Sequence, residues 1–238
     1  MKVQKLEGSG VYEKIPEKTS LFLVTAAMTV SAPLMAWALE HDIVILHTND
    51  IHCGINDNIG FDGLAQIKRD TLARTPNVAL VDAGDAIQGA PIGKLSRGLA
   101  VVSIMNYLGY DFCIPGNHEF DYGMDRFMEL VPLQRAGYYC ANFVYAGNNK
   151  QVLPGYKIMQ YEDTKVAFVG ASTPESLTTS TPTFFQNEKG QYIYSFCEDK
   201  SGSKLYKQLQ KNVDKARKEG ADYVFIVGHL GMDGTTPQ

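Results

Sequence analysis

The sequence has little of what marks a specialised class of protein. Its 238 residues carry a formal net charge of −4, so no basic excess indicates a nucleic-acid polymer as a partner. Internal repeats and low-complexity tracts are absent, which argues against a repetitive adhesion or structural module. The composition, 45% hydrophobic and 20% charged, is that of an ordinary globular protein with one sizeable core.

One long uncharged stretch, residues 21–39, stands apart from this composition. Lys14 and Lys18 precede it, and Ala36-Trp37-Ala38 has the small-x-small form of a signal-peptidase site. We therefore predict a secretory signal peptide over residues 1–38. Its first residues are more acidic than is usual, which a mis-set start codon or a non-native extension would explain. An uncleaved anchor is the alternative. Either way we expect an exported protein, periplasmic, cell-wall-associated or secreted, with membrane contact only through this segment.

Cysteine is scarce, and its four copies suit neither a zinc knuckle nor an obvious disulfide framework. No two cysteines have metal-knuckle spacing, and Cys113 and Cys140 lie in apolar, strand-like stretches. A disulfide is an alternative in an exported protein. We predict buried free thiols instead.

Short apolar stretches alternate with segments of helical periodicity after the N-terminal segment. The predicted strands cover residues 42–46, 78–81, 112–114, 138–143, 152–162 paired with 165–169, and 223–227. The predicted helices cover residues 64–72, Leu99–Leu108, 124–136 and 205–216, and residues 170–203 are expected to form a long loop. This alternation predicts an α/β fold with right-handed crossovers.

Polar clusters follow four of these strands directly, and such strand ends converge in an α/β sheet. The clusters are Asp50 with His52, Asp85, Asn117 with His118, and His229. Their mixed nitrogen and oxygen atoms suit divalent Zn, Mn, Fe, Co or Ni. Two such ions about 3.5–4 Å apart would polarise a phosphoryl group and activate a water. Taken singly, the aspartates also suit helix caps, His52 a surface residue and His229 a core histidine; His41 and His47 are expected to be structural.

Four motifs together resemble one family in their order and spacing. They are Ile45-Leu-His-Thr-Asn-Asp-Ile-His52, Asp82-Ala-Gly-Asp85, Gly116-Asn-His-Glu-Phe-Asp121 and Gly228-His-Leu-Gly231. Over residues 43–238 the chain resembles the 5′-nucleotidase/UDP-sugar hydrolase family of calcineurin-like metallophosphoesterases. The resemblance implies an αββα sandwich and the metal-dependent hydrolysis of phosphate esters of nucleotides.

The resemblance also implies a role for each site residue, with two divalent metal ions as the cofactor. Asp50 and His52 would bind the first ion, Asp85 would bridge both, and Asn117 and His229 would bind the second. The resemblance further implies that His118 stabilises the phosphoryl transition state, held by Asp121 in a His–carboxylate dyad.

The sequence departs from the family pattern in one respect. The family continues with a Gly-x-His-x-His/Gln-like motif and a C-terminal nucleotide-specificity domain, neither of which occurs up to Gln238. Residues 39–238 are therefore expected to be the N-terminal portion of a catalytic domain, with the sandwich incomplete. A non-catalytic exported binding fragment is one alternative. A 2′,3′-cyclic nucleotide phosphodiesterase or a UDP-sugar hydrolase is another, although Asp121 favours the 5′-nucleotidase branch.

Overall fold

The computed structural model describes residues 41–231 and divides most of their strands between two sheets. The predicted signal peptide over residues 1–38 lies outside the described residues and stays a prediction, as does the domain boundary after it. Within residues 41–231, no helix is both long enough and apolar enough to span a bilayer.

Strands and helices alternate through the first half of the described chain. The strands are β1 (Val44–Thr48), β2 (Val78–Asp82), β3 (Phe112–Cys113), β4 (Val144–Tyr145), β5 (Tyr156–Tyr161), β6 (Thr164–Ser172), β7 (Tyr194–Ser195) and β8 (Tyr223–His229). The α-helices are α1 (Gly60–Leu72), α2 (Pro91–Ser96), α3 (Leu99–Leu108), α4 (Met124–Leu130), α5 (Ser176–Thr179) and α6 (Ser203–Lys218). Short 3₁₀ turns cover His118–Phe120, Val131–Leu133 and Pro182–Phe185.

The two main sheets differ in the direction of their strands. The first has the order β1-β2-β3, and all of its pairs are parallel. The second has the order β5-β6-β8, in which β5 runs antiparallel to β6 and β8 runs parallel to it. A separate antiparallel pair joins β4 to β7. The parallel pairs bring the carboxyl ends of β1, β2 and β3 together at one edge.

The sheets stack face to face, with helices on their outer faces. Alternate residues of β2 divide between the two faces: Ala79 and Val81 pack toward the second sheet, whereas Leu80 packs toward the helices. From the second sheet, Val166 and Phe168 complete the inner layer. The outer layers are formed by α1 and α3 on the first sheet and by α6 on the second. This arrangement confirms the expected αββα sandwich.

Several predicted elements need correction. Residues 138–143 are not a strand, because their backbone N–H groups bond to three separate segments: Tyr139 to Cys113, Cys140 to Pro154 and Ala141 to Gly170. Only a single bridge, from Cys113 to Tyr138, joins this stretch to the first sheet. The stretch is apolar because it is a buried connection between the sheets.

The observed bounds of two further predicted elements differ from the predicted ones. The helix predicted over residues 124–136 ends at Leu130, and a 3₁₀ turn containing Pro132 follows, since proline removes a helix hydrogen bond. The predicted loop 170–203 contains α5, β7 and the end of β6. The helix Leu99–Leu108 is confirmed, with Gly109 at a φ of 68° ending it.

The cysteines follow the sequence prediction in part. All four are free, and Cys53, Cys113 and Cys140 are buried, whereas Cys197 is half-buried. Burial raises the pKa of the Cys113 thiol well above its ordinary value, as it does in an inert core thiol.

The aromatic layer between the sheets supports a test of the sandwich. Phe112 is fully buried and lies 4.7 Å from the ring of Tyr139 and 5.8 Å from that of Phe168, centroid to centroid. We expect Phe112→Ala to lower the free energy of unfolding by about 3–5 kcal/mol, because it opens a cavity between the two sheets. Tyr107→Ala, at a position 91% exposed on α3, is the control and should change it by less than about 0.5 kcal/mol. Equal effects of the two changes in a urea titration would contradict this packing.

Candidate metal centre

The candidate site lies where the loops after β1, β2 and β3 meet the end of β8. The loops after β1 and β2 are joined by main-chain hydrogen bonds: the Asp50 N–H donates to Gly84 O at 3.0 Å and the His52 N–H to Asp85 O at 2.8 Å. His229 is the last residue of β8, so it reaches the site from the second sheet. The sandwich therefore brings together groups that lie far apart in sequence.

Three site residues hold a backbone conformation that L-residues rarely adopt. The φ angles are 51° at Asp50, 47° at His52 and 58° at Asp85. Such left-handed geometry costs about 1–2 kcal/mol for a residue with a side chain, although aspartate tolerates it better than most. The hydrogen bonds between the two loops offset this cost and aim the side chains into one space.

Two glycines allow the loops after β2 and β3 to approach closely. A Cβ on Gly84 would lie 2.5 Å from the backbone nitrogen of Gly116, and a Cβ on Gly116 would lie 2.2 Å from Asp85 Oδ1. Both distances are shorter than non-bonded atoms permit, so neither position has room for a side chain. The missing side chains let the Asp85 carboxylate sit directly against the loop that carries Asn117.

The ligand atoms form one cluster around Asp85. Its Oδ2 lies 3.2 Å from His229 Nε2 and 3.8 Å from His52 Nε2. On one side, His52 Nε2 is also 3.9 Å from Asp50 Oδ1; on the other, His229 Nε2 is 3.1 Å from Asn117 Oδ1. Asp50, Asp85 and His229 each offer an atom within 4.8 Å of the others, as a shared cation requires. The carboxylate of Asp85 thus lies between two groups of donors.

Each histidine of the cluster turns the same nitrogen toward it. His229 Nδ1 lies 2.9 Å from Ala83 O, and His52 Nδ1 lies 3.2 Å from Gln88 O. A carbonyl oxygen only accepts, so Nδ1 carries a proton in both rings. Nε2 therefore faces Asp85 in both rings and is the nitrogen that would bind a cation. Such outer hydrogen bonds orient the imidazoles that ligate metals.

His118 occupies the rim of the cluster and differs from the other two histidines. Its Nδ1 lies 2.7 Å from Asp121 Oδ2, and the other Asp121 oxygen accepts a hydrogen bond from Ser180 Oγ at 3.2 Å. The His118 backbone N–H donates to Asp85 Oδ1 at 2.8 Å, and its ring lies 5.3 Å from that of His52. His118 Nε2 is therefore left available beside the candidate ligands.

Burial and charge shift the pKa values of these groups in a consistent way. Burial alone would raise the pKa of Asp85, but the hydrogen bond and charge of His229 and the His118 N–H lower it below its ordinary value. Burial opposes protonation of His229, yet Asp85 raises the pKa of His229 to about 9. Burial also opposes protonation of His118, and Asp121 and Asp85 still raise its pKa. The carboxylates of the cluster create a negative electrostatic potential. This potential stabilises protons on the two histidines and would equally stabilise a bound cation.

Glu119 is the structural residue that sequence reasoning missed. It is 1% exposed, and its two oxygens accept backbone N–H bonds from Asp85 (2.7 Å), Ala86 (2.8 Å), Ile87 (3.3 Å) and Gly116 (2.5 Å). Burial raises its pKa and Asp85 adds to this, while the N–H groups lower it. The only sequence signal was an acidic residue inside an otherwise assigned motif. Its carboxylate joins the loops after β2 and β3.

Asp82 and the two structural histidines lie outside the cluster. Asp82 is fully buried and accepts from Thr48 Oγ1 at 2.7 Å and from the Gly84 N–H at 3.1 Å, so it shapes the loop after β2. His41 pairs with Glu162 at 3.0 Å, and burial lowers the pKa of His47. The structure therefore brings all seven predicted site residues together. Of the other three, His47 lines a cavity that Asp50 and His229 also line.

The residues present fit a divalent cation. Carboxylate and amide oxygens and two oriented imidazole nitrogens converge, without a thiolate, which suits a first-row divalent metal and not a structural zinc knuckle. The fold and the cluster together define an α/β sandwich protein with a candidate divalent-metal centre at its strand ends.

Comparisons with known proteins place this class in a family. Residues 43–237 match the family model described as calcineurin-like phosphoesterase. A snake venom 5′-nucleotidase from Gloydius brevicauda is 29% identical over 89% of this chain and 37% of its own length. The human 5′-nucleotidase is 30% identical over 88% of this chain and 37% of its own length. The solved structure of a 5′-nucleotidase precursor from Thermus thermophilus superposes with a TM-score of 0.66, at 25% identity over 79% of this chain and 37% of that one.

The chain belongs to the calcineurin-like phosphoesterase family. It spans 37% of the length of the two 5′-nucleotidases compared above. This sandwich therefore corresponds to only part of each of those relatives.

The role of Glu119 is open to a direct test. In Glu119→Gln, the amide NH₂ would face backbone N–H donors, so we expect the free energy of unfolding to fall by about 2–3 kcal/mol. Glu129→Gln, whose side chain is 63% exposed, removes the same charge and should change it by less than about 0.5 kcal/mol. Denaturant titration of both variants provides the measurement. An unchanged stability of Glu119→Gln would contradict the role of Glu119 in joining the loops after β2 and β3.

Proposed function

We propose that this chain is the N-terminal part of the catalytic domain of an exported enzyme that hydrolyses phosphate esters of nucleotides with two divalent metal ions. The observation that supports this most directly is the position of Asp85. Its Oδ2 lies within 3.2 Å of His229 and 3.8 Å of His52, between two separate groups of donors. A carboxylate can bridge two cations, whereas an amide or a single imidazole nitrogen does not.

Each group of donors would hold one ion in this proposal. Asp50 and His52 would bind the first ion, Asn117 and His229 the second, and Asp85 both. Bound there, the ions would polarise the phosphoryl group and lower the pKa of a water. The chain's own contribution is to turn both imidazole Nε2 atoms to the inner side, because the carbonyls of Ala83 and Gln88 hold the Nδ1–H groups. At His229 a cation would displace the proton that Asp85 favours.

His118 would act on the substrate and not on an ion. Its Nδ1–H is held by Asp121, and its raised pKa favours the imidazolium form, so Nε2–H can donate to a phosphoryl oxygen that gains charge. Asp121 keeps the ring protonated and correctly turned, and Ser180 holds Asp121 in turn.

The nucleotide substrate is proposed from the relatives, since both of those compared above are named 5′-nucleotidases. The deciding experiment is phosphate release by the full-length gene product from adenosine monophosphate, with Mn²⁺ or Zn²⁺ supplied and then removed by a chelator. Release that depends on the metal supports the proposal. Preference for 2′,3′-cyclic AMP or UDP-glucose would assign the alternative specificities, and metal binding without turnover would assign a binding protein.

The metal ligands can be tested separately from turnover. Mn²⁺ should raise the melting temperature of this chain, because a ligand that binds only the folded state stabilises it. We expect Asp85→Asn to remove that rise, since Asn tolerates the left-handed backbone but lacks the second anionic oxygen. Asp125→Asn, at an exposed position on α4, is the matched control and should retain it. Retention of the full metal effect in Asp85→Asn would contradict the bridging role.

The dyad predicts a different pattern for His118. In the full-length protein, His118→Ala should lower kcat by about 10²–10⁴-fold while leaving the metal-induced rise in melting temperature intact. Asp121→Asn should give an intermediate loss, because the ring keeps a weaker partner. If His118→Ala lost metal binding as well, His118 would be a ligand and not the substrate-facing acid.

A further inference from the structure

Helix α6 carries a narrow stripe of lysines along its outer surface. The stripe consists of Lys204, Lys207, Lys211, Lys215 and Lys218, all exposed and spaced three or four residues apart. This spacing places the five side chains on one face of a helix, over a length of about 21 Å. We refer to these five residues as the lysine stripe.

The lysine stripe is held rigidly against the body of the protein. On the opposite side of α6, Leu209 and Ala216 are buried against the second sheet, and Asn212 accepts from Gln151 Nε2 at 3.2 Å. This packing fixes the rotation of the helix, so the lysine stripe faces solvent. The apolar face of α6 is buried against the second sheet and is not available to a partner.

The charge of α6 is opposite to that of the chain as a whole. The helix contains six basic residues and one acid, Asp214, whereas the chain has a formal net charge of −4. Among residues 41–231, no carboxylate forms an ion pair with any lysine of the stripe. Asp214 instead accepts a hydrogen bond from Gln210 at 2.8 Å. Asp214 and Gln210 nevertheless line one groove with Lys207, Lys211, Lys215 and Lys218. The stripe therefore carries five positive charges against the one negative charge of Asp214, on an acidic protein.

We propose that the lysine stripe binds the surface of an anionic lipid membrane. Clusters of four to eight basic residues on an amphipathic helix are attracted to anionic headgroups. The stripe consists of lysines, which are point charges suited to a diffuse layer of phosphates, and it lacks the arginine fork that recognises one phosphate in two places. Tyr206, 67% exposed, borders the same groove and offers an amphipathic ring for the headgroup region.

This contact would be peripheral and electrostatic. Because the apolar face of α6 is buried in the sandwich, binding relies on charge and on Tyr206, and so should weaken steeply as salt is raised. The proposal adds a second membrane contact to the one that the sequence predicts through residues 1–38. It does not depend on the metal centre or on the proposed hydrolysis.

Vesicle sedimentation tests the proposal with residues 39–238, because the predicted signal peptide over residues 1–38 is itself expected to contact membranes. The protein should sediment with vesicles of equal parts phosphatidylglycerol and phosphatidylcholine at low salt, and remain in solution with pure phosphatidylcholine. The triple variant Lys207→Gln, Lys211→Gln, Lys215→Gln should lose about a hundredfold or more in apparent affinity, given the contribution of each lysine near an anionic surface. Circular dichroism of this variant checks that α6 still forms.

The matched control neutralises three exposed lysines elsewhere: Lys94→Gln, Lys150→Gln, Lys189→Gln. It changes net charge equally and should bind as the unaltered chain does. An equal loss of affinity in both triple variants would show that overall charge, and not the lysine stripe, causes binding. Equal binding to both vesicle types would contradict an electrostatic attachment. Binding to heparin without any binding to vesicles would indicate that the partner is a soluble polyanion and not a membrane.

Discussion

The buried carboxylate of Glu119 is the interaction on which the rest of the site depends. It accepts backbone N–H groups from the loop after β2 and from Gly116 in the loop after β3, so two strand ends are locked together without any side chain from the cluster. With those loops fixed, Asp85 meets the N–H of His118, and the strained backbone at Asp85 is supported. An ionisable residue is almost never so deeply buried unless it is satisfied in this way.

The second constraint is the alignment of the two sheets, which sets the position of His229. Ser172, at the end of β6, pairs in register with His229, and its hydroxyl donates to Pro115 O in the loop after β3. Asn142 binds the Ser172 backbone from both sides, at 2.7 and 3.0 Å. Ser172 thus joins the second sheet to the loop that carries Asn117. This contact explains why Asn117 Oδ1 lies only 3.1 Å from His229 Nε2. Hydrogen bonds between uncharged groups therefore hold this half of the cluster in position.

Local patterns in the sequence predicted the parts of the fold that are local in cause. The helix Leu99–Leu108 has its own stop signal in Gly109, and the strand-end clusters follow from apolar runs that break into polar loops. The stretch 138–143 was misread because burial between sheets produces the same apolar composition as a strand. Glu119 was missed because its partners are backbone N–H groups, which leave no pattern in side chains. The convergence of His229 with Asp85 followed from their positions at strand ends, whereas the role of each as a metal ligand came from the resemblance.

The central claim is that Asp85 lies between two cation sites, and anomalous diffraction tests it most directly. Crystals of the chain grown with Mn²⁺ and measured at the manganese edge should show two peaks about 3.5–4 Å apart, on either side of the Asp85 carboxylate. One should adjoin Asp50 and His52, and the other Asn117 and His229. A single peak that Asp85 does not touch, or two peaks away from its carboxylate, would contradict the account.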